Sequence, residues 1–150
     1  MFAQQNPPPQ PMTDEKYGTA QVIMALPPAK LVEILKDPGG SPYAKAKACQ
    51  RLAVTGGPEA VPALAALLAD PQLSHYARTG LDQIPGPAAD EALRAALRTL
   101  QGRLLAGVIH SVARRRDSAA IPALARLQHD TDPAVAKAAY AALAAIRPPL

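Results

Sequence analysis

The chain has 150 residues, enough for one domain with a substantial core, and carries a formal net charge of +4. Hydrophobic residues make up 49% and charged residues 19%; 33 positions are alanine, while aromatics reach only 3%, with no Trp. This composition suits helices that approach closely and excludes an all-β fold. The lone Cys49 excludes a disulfide-stapled miniprotein, and no run nears the roughly 18 apolar residues of a membrane span.

Residues 1–16 open with MFAQQNPPPQPM, where Pro7, Pro8, Pro9 and Pro11 stand among glutamines with nothing to pack. They read as a disordered, polyproline-like lead to a helical domain spanning 17–150. No basic stretch followed by an apolar one marks a signal peptide. The abrupt polar opening after Met1 reads as a mature exported terminus with a start codon added. The expected compartment is therefore the periplasm or the exterior, with the cytoplasm as the alternative. A short helix is expected around 21–26.

Four helical hairpins follow. The first covers about 28–55, with Leu31, Ile34 and Leu35 inward and Asp37-Pro38-Gly39-Gly40 at its turn. The second covers 57–85. Over 58–69, Val61, Leu64, Leu67 and Leu68 recur at i, i+3, i+6 and i+7, a helical stripe. Gly57-Pro58 starts that helix, and Asp70-Pro71 ends it because a residue before proline is pushed out of the α region. Pro62, like Pro122 later, falls a turn inside its helix and predicts a kink. The return helix, 73–84, gathers Leu73, Tyr76, Ala77, Gly80, Leu81 and Ile84 on one face, and Gly86-Pro87 punctuates the next unit. The third hairpin is 87–116, with Leu93, Leu97 and Leu100, then Gly102 in the turn, then Leu105, Val108, Ile109 and Val112. The fourth is 117–147, stopped by Pro148-Pro149.

The hairpins repeat. GPEAVPALAALLAD (57–70) matches DSAAIPALARLQHD (117–130) at a constant offset of 60, and Leu73, Ala77, Leu81 and Ile84 match Val135, Ala139, Leu143 and Ile146 at 62. With one hairpin between them, the unit is about 30 residues long, the signature of a solenoid. The stretch G-x-x-A-V-P-A-L-x-x-L-L-x-D-P (57–71) and the ending A-L-x-x-I (142–146) resemble bacterial HEAT-like repeats of the short type related to phycobilin lyases. The resemblance covers about residues 28–147. It implies an all-α, right-handed α-solenoid of about four hairpins and is nearly silent on function. Ala136 and Ser74 stand where that family usually places Arg, and the third unit has Asp90-Glu91 in place of the Val-Pro pair. LSHYAR (73–78), QGRLLAGVIHSVARRRD (101–117) and DPAVAKAAYAAL (132–143) look like repeat segments of large exported bacterial proteins. There such repeats accompany a sugar-hydrolase-like or c-type cytochrome domain, and neither is present in this sequence.

No residue pattern points to catalysis, a cofactor or a metal. His75, His110 and His129 sit in different units without paired-ligand spacing, and Asp130 and Asp132 read as caps of the next helix. Ser74-His75 and His110-Ser111 are sequence neighbours, which on a helix diverge by about 100° and make poor nucleophile–base pairs. Cys49 reads as a small filler among alanines.

Superposing the units places His75, Arg78, Asp82, Arg103, His110, Lys137 and Tyr140 on the second helices, the set that lines the binding face of solenoids. They form the candidate protein-binding ladder. A second candidate is a basic patch: residues 93–116 hold Arg94, Arg98, Arg103, Arg114, Arg115 and Arg116 and no acid. A phosphate-tracking groove is one reading of it. The other is structural, since Arg114–Arg116 end a helix where cations complement its dipole. The last helix carries small apolar residues on nearly every face: Ala134, Ala138, Ala141, Ala142 and Ala145 call for further repeats, a partner domain or self-association. The expected function is a non-catalytic protein-interaction or scaffolding module, part or companion of a larger exported enzyme, with nucleic-acid binding through the arginines as the alternative.

Overall fold

The computed structural model describes residues 13–147. Of these, 71% are helical, in nine α-helices and two short 3₁₀ turns, and the strands amount to two residue pairs. The all-α expectation therefore holds. Residues 1–12 of the proline-rich lead, and the Pro148-Pro149 stop, lie outside the described residues.

Residues 13–16, assigned by composition to the lead, belong to the folded part. Strand β1 (Thr13–Asp14) pairs antiparallel with β2 (Gly18–Thr19). Buried Asp14 holds the turn between them, accepting the Lys16 and Tyr17 amides at 2.8 and 2.7 Å. Short-range polarity hid this turn, because an Asx turn needs no apolar pattern. The short helix expected next is α1 (Ala20–Met24), capped by Thr19 and anchored by buried Ile23.

The hairpins are α2 (Pro28–Lys36) with α3 (Pro42–Thr55), α4 (Val61–Ala66) with α5 (Ser74–Gln83), α6 (Pro87–Leu97) with α7 (Gly102–Arg115), and α8 (Ile121–Leu127) with α9 (Pro133–Ile146). Pro62 and Pro122 do not kink a helix from within. Short 3₁₀ turns, Pro58–Ala60 and Ser118–Ala120, precede α4 and α8, so each proline stands in the first α-turn, where its missing N–H costs nothing.

Three of the four hairpin turns share one device. Asp37, Asp70 and Asp130 each accept the amide two residues on, from Gly39, Gln72 and Asp132, at 2.8 Å. Asp132 then caps α9 through the Ala134 amide at 2.9 Å. The third turn has no such aspartate, and Gly102 opens α7 there with φ +57°.

Each second helix packs on its own first helix and on the second helix of the next hairpin: α3 on α5, α5 on α7 and α7 on α9, with the first helices α2, α4 and α6 touching in the same order. One continuous core results, holding Leu31, Leu52, Leu64, Leu81, Leu93, Ile109, Leu124 and Leu143 among others. Gly80 lets α5 approach α4 closely, since a methyl there would meet both Leu64 δ-carbons at 3.1 Å.

Candidate interaction face

The predicted ladder lies on α5, α7 and α9, and its members play different parts. His75, Arg103, His110, Lys137 and Tyr140 are exposed, Tyr140 by 70%. Arg78 is half-buried and spans to the next helix, its guanidinium donating to the Gly107 carbonyl at 3.1 Å. Desolvation lowers its affinity for a proton. Gly107 makes room for it: a methyl at that position would approach Arg78 Cζ to 2.8 Å. Asp82 is similarly committed, accepting from Arg114 at 2.8 Å. Arg78 and Asp82 therefore join α5 to α7, and the exposed five carry the free surface.

The arginine patch divides the same way. Arg94 pairs with the nearly buried Asp117, which also caps the 3₁₀ turn before α8. Arg115, with 11% of its side chain exposed, closes the end of α5. It donates to the Leu81, Ile84 and Gly86 carbonyls at 2.9, 2.7 and 3.1 Å and to the Asp90 carboxylate. Helix α5 ends without a backbone cap bond, so these carbonyls need a donor from elsewhere. Arg116 is exposed at the end of α7 in the left-handed conformation, φ 53°. Arg98 is exposed, and Arg103 reaches the Pro71 carbonyl at 3.4 Å. Arg98, Arg103 and Arg116 are left for a phosphate, on different elements.

Ser74 and Ser111 are buried while His75 and His110 are exposed, so neither hydroxyl meets its sequence-neighbour imidazole. Cys49 is fully buried, and burial pushes its thiol up to about 12. In the methyl-studded last helix, Ala138 and Ala142 are buried against the core, while Ala134, Tyr140, Ala141, Ala144 and Ala145 face outward.

Charge is sorted between the helices. The second helices hold Lys45, Lys47 and Arg51 on α3, Arg78 on α5, Arg103, Arg114 and Arg115 on α7, and Lys137 on α9. That is eight of the chain's 16 Lys and Arg, against one of its 12 acids, Asp82. The repeat pattern did not reveal a groove of about 490 Å³ where α3 meets the start of α5, lined by Tyr43, Lys47, Gln50, Gln72 and Tyr76. A second, of about 710 Å³, lies between the α6–α7 and α8–α9 turns, with Arg98, Gly102, Asp130 and Asp132 in its wall.

No protein-family model matches the chain, and a search of curated proteins finds no match. Among the described residues no helix is long and apolar enough to cross a membrane.

Proposed function

We propose that this chain is a HEAT-like α-solenoid of four hairpins acting as a non-catalytic protein-interaction or scaffolding module. It holds a protein partner along the outward face of α5, α7 and α9 through His75, Arg103, His110, Lys137 and Tyr140. The observation that carries this reading is the sorting of charge: half of the cations and a single acid on the second helices, with the only acid already paired. A rigid array of exposed Arg, Lys, His and Tyr on packed helices suits recognition, because little side-chain and backbone order must be created on binding. The outward alanines and Tyr140 of α9 form a second contact region, for a further repeat, a partner domain or another copy.

The same cations support a nucleic-acid reading, and one experiment separates the two. Tagged protein and its Arg103→Glu/Lys137→Glu variant are used to capture partners from source-cell lysate at low and moderate salt, with and without nuclease. The protein-scaffold reading expects a discrete protein that survives nuclease and is lost with the variant. Capture of nuclease-sensitive material overturns it. With Arg98, Arg103 and Arg116 free, phosphate binding would show a log–log salt slope of about −3.

A further inference from the structure

Two of the chain's four tyrosines meet in one groove although 33 positions separate them. Tyr43 stands at the start of α3 and Tyr76 near the start of α5, both half-buried. Buried Ala46 and Leu73 lie in the same groove, and Gln50 and Gln72 bring side-chain amides to it. Lys47 is already occupied: its ammonium lies 5.7 Å from the centre of the Tyr43 ring and donates to Gln50 Oε1 at 3.3 Å. That leaves the Gln50 NH₂ group as a donor. No acid lines the groove. Aromatic faces beside neutral donors are the chemistry that takes a polyproline helix, whose rings pack on the aromatics and whose carbonyls have no partners within the helix.

The chain contains a segment of this kind. Residues 7–11 read Pro-Pro-Pro-Gln-Pro, bear no charge and end two residues before Thr13. Thr13 lines a neighbouring depression of about 410 Å³ with Asp14, Lys16, Gly39 and Ser41, and Tyr43 is a wall of both cavities. The described chain therefore begins beside the groove. At about 3.1 Å per residue, five residues of polyproline helix extend about 15 Å, enough to cross two helices packed about 8–10 Å apart. We propose that the groove between α3 and α5 seats the chain's own residues 7–11, as a polyproline helix laid against the rings of Tyr43 and Tyr76.

The test uses the full chain carrying Gln5→Cys with a nitroxide attached. Cys49 is fully buried and its thiol is pushed up to about 12, so the label goes to position 5. In ¹⁵N-enriched protein the amide signals of 43–50 and 72–76 should lose at least half their intensity relative to the reduced label, while those of α9, separated from α5 by α7, should lose the least. Absent or evenly spread broadening overturns the proposal. Replacing the four prolines of 7–11 by serine should restore the signals, and so should Tyr76→Ala at unchanged helical circular dichroism. Broadening that survives the serine replacement also overturns it. Mixing labelled, unenriched chain with unlabelled, ¹⁵N-enriched chain should leave the signals intact. Broadening there would assign the groove to another copy's segment and overturn the same-chain seat.

Discussion

The first and second helices of the hairpins share one core but are built differently. Apart from α6, with 11 residues, the first helices are short: nine residues in α2, six in α4 and seven in α8. The second helices run to 14 residues in α3, α7 and α9 and 10 in α5. The first set balances its charge, with Lys30, Lys36, Arg94 and Arg126 against Glu33, Glu59 of the 3₁₀ turn, Asp90 and Glu91. The second set is almost wholly cationic. Burial is therefore common property of the two sets, whereas the net positive charge belongs to the second alone.

The strongest way to break this comparison is to test the common core. Leu64 of α4 and Leu81 of α5 are fully buried, so each truncation to alanine should cost about 3 kcal/mol in urea unfolding. The pair should couple by at least about 0.5 kcal/mol, because α4 and α5 pack together; strict additivity would mean two separate cores. Next in size is Arg115→Met, which strips donors from the end of α5 and leaves Asp90 unpaired, at about 2–3 kcal/mol. Its neighbour sharpens the contrast: Arg116→Gly relieves the left-handed backbone and should stabilise by about 0.5 kcal/mol. Asp132→Ala removes the cap of α9 and should cost about 1 kcal/mol in the same measurement.

The smallest effect is local and pH-dependent. Lys16, at 2.6 Å, together with Tyr17 and the Gly39 amide, holds the Asp37 carboxyl well below its usual range. Its contribution is therefore present above the ordinary value of 3.8 and lost as the pH falls from there through the lower folded-state value. The shift of the Gly39 amide, which donates to the Asp37 carboxylate, should follow that acid limb in the native chain. In Asp37→Asn the limb should disappear.

The hairpins were legible because their punctuation is chemical: Gly57-Pro58, Asp70-Pro71 and Gly86-Pro87 mark ends that apolar spacing alone leaves vague. Pro62 and Pro122 misled, since the sequence does not show that a 3₁₀ turn comes first and moves them into the first α-turn. The ladder was located through the repeat, but Arg78 and Asp82 proved to be spent on α7, Arg78 in the space that Gly107 leaves and Asp82 on Arg114. Arg115 gave no sign of its target. The absence of a C-cap signal after α5 was the clue, since an uncapped helix end needs a donor from another element. The groove escaped notice although Tyr43 and Tyr76 are equivalent: the offset of 33 that relates Asp37-Pro38 to Asp70-Pro71 also relates SPYA (41–44) to SHYA (74–77). The ladder, however, rests on the last three units alone, and the helical spacing puts Tyr76 on a core face.

Arg115 has a further consequence for how the molecule opens. The last turn of α5 is closed by a side chain borrowed from the last turn of α7, so α5 cannot keep its end satisfied once α7 frays. The middle two hairpins are thereby denied stepwise unzipping. Native-state hydrogen exchange should find the amides of 80–84 and 111–115 released by one shared event, with matching protection factors. In the absence of that guanidinium, the two stretches should part company and exchange at separate rates.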